Sequence, residues 1–73
     1  MIQYAVVIEK SESGYGAYVP DLPGGVAVGE IEDEVRSLIR EAVELHLESM
    51  REDGLPIPEP SSRVEYLDVP HAA

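Results

Sequence analysis

The chain has 73 residues and no Cys, so it offers one small core with no disulfide or thiolate metal site. A fold such as the (β/α)8 barrel, at roughly 250 residues, is excluded. Fifteen acidic residues against five basic ones give a net charge of −10, a field that repels a phosphate backbone, so no direct contact with nucleic acid is expected. The longest apolar run, residues 4–8, falls far short of the ~20 residues of a membrane span. The opening Met1-Ile2-Gln3-Tyr4 lacks the basic region and cleavage site of a secretory leader. These features predict a single cytoplasmic domain over residues 1–73 with no membrane contact.

Residues 2–9 predict a first strand, with Ile2, Tyr4, Val6 and Ile8 on one face and Gln3, Ala5, Val7 and Glu9 on the other. A polar turn at residues 10–14 leads to a second, antiparallel strand over 15–19, where Gly16 predicts a bulge or a close backbone approach. Pro20-Asp21-Leu22-Pro23-Gly24-Gly25 cannot be regular. Its prolines fix φ and remove donors, and Pro23-Gly24 suits the centre of a type II turn. A short third strand follows at 26–28.

The amphipathic helix is predicted over residues 31–51. Ile31, Val35, Leu38, Ile39, Ala42, Val43, His46, Leu47 and Met50 recur at helical spacing, which predicts burial of Leu38 and Leu47. Glu32, Asp33 and Glu34 crowd the first turn, where the macrodipole favours anions. With no hydroxyl or Asp at the start, Gly29 or Glu30 is left to cap. Gly54 ends the helix, and the alternating prolines of residues 55–60 predict an extended connector. Residues 64–69 then predict a last strand. The order β-β-β-α-β is a two-layer α+β domain, an antiparallel sheet with one long helix on one face. The other sheet face, including Ala5 and Val7, stays open and predicts self-association, by default as a symmetric dimer.

Catalytic chemistry finds no footing. His46 sits within the apolar stripe and reads as a packed imidazole, and the only other His is His71 in the tail. The serines lie in turns or on the helix, with no Gly-x-Ser-x-Gly elbow. Glu9, Glu65 and Asp68 near strand ends are too few for a two-metal nuclease centre. Neither glycine pair precedes a helix carrying the Lys of a phosphate loop. The expectation is a chain that is not an enzyme, without metal or cofactor.

Several of these segments resemble the HicB antitoxin family. They are Tyr4-Ala5-Val6-Val7-Ile8-Glu9-Lys10, Gly14-Tyr15, Val19-Pro20-Asp21-Leu22-Pro23-Gly24, the helical Glu41-Ala42-Val43-Glu44-Leu45-His46-Leu47, and Asp53-Gly54-Leu55-Pro56-Ile57-Pro58-Glu59-Pro60. The resemblance spans about residues 2–69. It implies a trimmed ribonuclease-H-like, or double-stranded-RNA-binding-like, domain without the catalytic carboxylates. It also implies a partner, a small basic HicA-type ribonuclease with a catalytic His that the antitoxin masks. The chain departs from the family in carrying Gly25 where Cys is common and Ile31-Glu32 in place of Thr-Leu. It also ends at Ala73, where many members continue into a DNA-binding segment, so no such C-terminal domain is expected.

The resulting expectation is an antitoxin-type module that docks a basic ribonuclease through acids that steer encounter and an apolar patch that holds the complex. Tyr15, Asp21, Leu22, Pro23 and Gly24 are the candidate contacts on the sheet and turn, with Leu22 projecting as anchor; Glu44 and Glu48 are those on the helix. The alternative is a solitary, self-associating regulatory or structural domain with no cognate toxin.

Overall fold

The computed structural model describes residues 1–71. Strands β1 (Val7–Ser11), β2 (Gly14–Tyr18) and β3 (Val26–Gly29) form an antiparallel sheet in that order, followed by helix α1 (Glu32–Glu52). The α+β class is as the sequence predicts. Register sets the faces: Ile8 pairs with Ala17 and Ala17 with Ala27, while the next rung aligns Val7, Tyr18 and Val26. Because side chains alternate across a strand, the first set turns under the helix and the second faces away. The core is Ala17, Val19, Leu22, Val35 and Ile39, with Tyr4, Ile8, Tyr15, Ala27, Val43 and Leu47 packed around it.

The strands differ from the sequence reading in several places. β1 starts at Val7 rather than Ile2, because its partner runs out: Val7 pairs with Tyr18, the last residue of β2, and Pro20 then turns the chain away. Gly16 forms no bulge, since Glu9, Gly16 and Val28 stay in register. The predicted strand over 64–69 is not one, and residues 55–71 carry no helix or strand. An extended segment becomes a strand only when its backbone finds a partner, and here Tyr66 is 94% exposed.

The N-cap position falls on Ile31, not on Gly29 or Glu30, and no side chain caps the helix. The carboxylate of Glu34 instead accepts the Glu30 N–H at 3.3 Å, and Arg36 bridges Asp33 and Glu32 at 2.8 and 3.1 Å. Gly29 ends β3 where the helix crosses closest, and a Cβ there would lie 2.9 Å from Val35 Cγ2. At the other end Gly54 adopts φ 69°. Its N–H bonds the Arg51 carbonyl at 3.1 Å and the Leu55 N–H bonds Met50 at 2.9 Å, the paired closure of a Schellman motif. Val35 and Ile39 are the buried ridge of the helix. Leu38, predicted to be covered, is 38% exposed, and Ile31 is exposed as well. Beyond Val35 and Ile39 the stripe is only half-buried, at Ala42, Val43, His46, Leu47 and Met50, so Leu47, predicted to be buried, is partly in water as well, because a small three-stranded sheet covers only part of a helix circumference.

Candidate partner-docking surface

The link between β2 and β3 is two turns in series. The Leu22 N–H bonds the Val19 carbonyl at 3.1 Å, enclosing Pro20 and Asp21; the Gly25 N–H bonds the Leu22 carbonyl at 3.0 Å, enclosing Pro23 and Gly24. Each proline occupies the second turn position, where its fixed φ fits and no N–H is required. Gly24 at φ 94° supplies the positive φ of a type II turn. A third bond, from the Val19 N–H to the Gly25 carbonyl at 3.2 Å, closes the loop on itself.

This wiring aims Leu22 inward. It is 1% exposed and belongs to the core, so the apolar anchor expected there is not on the surface. Pro23 and Gly24 are exposed, and the turn rests against the helix: a Cβ at Gly24 would lie 3.9 Å from His46 Cε1. His46 is half-buried there, as a packed imidazole should be. Glu44 and Glu48 flank it in sequence and are exposed. Turn and acidic helix face therefore lie at one height along the helix but on different sides of it, and Glu44 lines a groove beside β1. Tyr15 does not join them. It is half-buried against the core, paired with Gly29 at the other end of β2.

Asp21 has a structural task that the sequence did not disclose. Its carboxylate accepts the backbone N–H groups of Ser61 and Ser62, both at 3.0 Å, and their hydroxyls at 3.1 and 2.9 Å. The Ser62 and Ser61 backbone donors hold the carboxyl below its ordinary 3.8, at about 2. The Tyr4 hydroxyl donates to the Pro58 carbonyl nearby. These contacts strap the proline-rich connector across the end of the sheet. A Ser pair has many reasons to exist, and nothing local names an acceptor forty residues away.

Two further surfaces stand out. The open sheet face presents Tyr18, Val26 and Val28, the last 77% exposed; Ala5 and Val7, expected to lead it, are half-buried. Exposed Glu41, Glu44, Glu48 and Glu52 make the outer side of the helix acidic. Among the described residues no cluster of three or more His, Cys, Asp or Glu could hold a metal, and no helix is long and apolar enough to cross a membrane.

Such an architecture defines a small antiparallel α+β domain. A family model described as the HicB-like antitoxin of bacterial toxin-antitoxin systems matches residues 4–72. The chain belongs to that family. It is 34% identical over 67 residues to an uncharacterized 14.9 kDa protein of Haemophilus phage HP1, covering 92% of this chain and 50% of that protein. It is 29% identical to Antitoxin HicB 2 of Photorhabdus laumondii, covering 94% of this chain and 50% of that one. The chain thus spans half the length of both relatives. A UPF0150 protein of Helicobacter pylori is 47% identical over 49 residues, 67% of this chain and 68% of that one. Among solved structures, a chain of a HicA3 and HicB3 toxin-antitoxin complex superposes with a TM-score of 0.68 at 28% identity, over 82% of this chain and 70% of that one.

Proposed function

We propose that the chain is a non-enzymatic antitoxin module that neutralises a small basic ribonuclease of the HicA type by protein–protein contact. The observation that carries this reading is the likeness to a chain of a solved toxin-antitoxin complex, at an identity that reaches beyond fold alone. The charge agrees: a net −10 with an exposed acidic helix face suits a basic partner. The candidate contacts are Glu44 and Glu48 on the outer helix face and, on another side of the molecule, the exposed Pro23–Gly24 corner beside His46. Leu22 supports that corner from within, and Asp21 ties it to the connector. Tyr15 lies apart from both.

The test is inhibition of RNA cleavage by a HicA-type ribonuclease titrated with the purified chain. Cleavage should stop once antitoxin matches toxin. Reversal of both Glu44 and Glu48 to Lys should slow association roughly tenfold at low salt while changing dissociation less. Unaltered association kinetics would remove the helix face from the site, and full cleavage at excess chain would remove the reading. The second reading, a solitary self-associating domain, draws on the open apolar face of Tyr18, Val26 and Val28. It predicts assembly without any toxin.

A further inference from the structure

We infer that residues 64–69 of one copy add as a fourth strand to the free edge of β1 in a second copy, closing the groove between that edge and α1. The segment carries the chemistry of a strand without a strand partner. Val64, Tyr66 and Val69 are residue types that favour sheets. They and Leu67 are all exposed, and Tyr66 stands almost wholly in water. A run of apolar side chains left in solvent is a surface in search of cover.

The acceptor is equally incomplete. β1 bonds only to β2, so its outer edge offers unpaired N–H and C=O groups along Val7–Ser11. The helix packs over β2 and β3, and beside β1 it leaves a groove lined by Ile2, Val6, Ile8, Arg40, Val43 and Leu47. A strand laid along β1 would continue the sheet and cover that groove in one step, the geometry by which extended segments augment sheet edges. The free edge of β3 has no such groove beside it, because α1 already lies over that strand.

Charge selects the occupant. Arg40, which makes no ion pair among the described residues, lines the groove together with Glu44 and with Arg36, the last already held by Glu32 and Asp33. The segment carries Glu65 and Asp68. Two copies at −10 each repel, and placing Asp68 of one beside Arg40 of the other offsets part of that repulsion. Alternation puts Val64, Tyr66 and Asp68 on one face. That face meets the groove, Tyr66 over its apolar floor and Asp68 toward Arg40.

The donor must be another copy because of the strap. Asp21 grips Ser61 and Ser62, and Tyr4 grips Pro58, so the chain is fixed at the end of the sheet and released from there without a backbone bond to its own β1. Each copy can donate and accept, which gives a closed two-fold assembly.

The chain has no Cys, so introduced thiols are unambiguous. Val6→Cys and Tyr66→Cys variants, mixed and mildly oxidised, should give the mixed disulfide in excess over either homodimer. Sedimentation equilibrium should show a dimer for the parent and a dissociation constant raised roughly tenfold for Tyr66→Pro, which removes a ladder donor. The thermal melt of Tyr66→Pro under dilute, monomeric conditions should match the parent, because Tyr66 touches little in the single chain. A parent that stays monomeric at all concentrations, a Tyr66→Pro dimer of parental strength, or cross-linking confined to Val28→Cys on the open face would each overturn the inference.

Discussion

Two proline-punctuated stretches of this chain meet opposite fates. The 19–25 loop is closed by three of its own backbone hydrogen bonds and drives a leucine into the core. The 55–62 connector, with Pro56, Pro58 and Pro60, makes one backbone bond, at Leu55, and otherwise depends on Tyr4 and Asp21 reaching across from elsewhere. In the loop each proline stands where a turn wants no donor. In the connector the prolines remove every second donor, so neither helix nor ladder can form. One segment therefore carries its own scaffold and the other borrows it.

That contrast can be broken first at Leu22. Leu22→Ala should cost roughly 2–5 kcal/mol in urea denaturation, a core-sized loss. Leu38→Ala should cost less than half as much, since Leu38 is partly in water. Equal costs would mean that the loop does not build the core. The borrowed scaffold is probed by Tyr4→Phe, which deletes one hydrogen bond and should cost about 1 kcal/mol. Asp21→Ala should raise amide exchange at Ser61 and Ser62 while leaving β1, β2 and β3 protected; loss of protection throughout would make the strap a part of the core.

Acid should separate the two regions as well. The folded-state pKa of Asp21 lies below its ordinary 3.8, at about 2. The stabilisation it gives is therefore complete above 3.8 and is lost as the pH falls through about 2. Exchange at Ser61 and Ser62 should accelerate over that window, and Asp21→Asn should flatten the response. The smallest effect belongs to Gly25, next to the turn glycine Gly24. A Cβ there would find its nearest atom, the Leu22 carbonyl oxygen, at 3.4 Å, an ordinary contact, so Gly25→Ala should shift stability by under about 0.5 kcal/mol.

What could be read from the sequence follows the same division. The three strands, the helix, its glycine stop and the type II turn at Pro23-Gly24 are local signals with local causes, and the structure has each. Leu22 read as projecting because turns usually lie on the surface; the second turn reverses its direction, and no single-residue preference encodes that. Leu38 fits the helical period, but the period cannot say how wide a sheet will cover it. The alternation at 64–69 says that this stretch suits a sheet without saying whose edge it meets. Of the candidate residues, the exposure of Glu44, Glu48, Pro23 and Gly24 could be read from the sequence, whereas the contacts of Ser61 and Ser62 could not, since pairing at a separation of forty leaves no trace in one sequence.

The strap also orders events in time. Both hairpin pairings and the docking of α1 on β3 join neighbours along the chain, and such local closures are fast. The bonds from Asp21 to Ser61 and from Tyr4 to Pro58 close loops of 40 and 54 residues. Loop-closure entropy grows only logarithmically, so once either contact forms the other adds little further cost. The two should therefore snap shut together, after sheet and helix are in place, and open together first. The protein would then pass through a species whose sheet and helix are folded while residues 55–71, about a quarter of the chain, are still unstrapped.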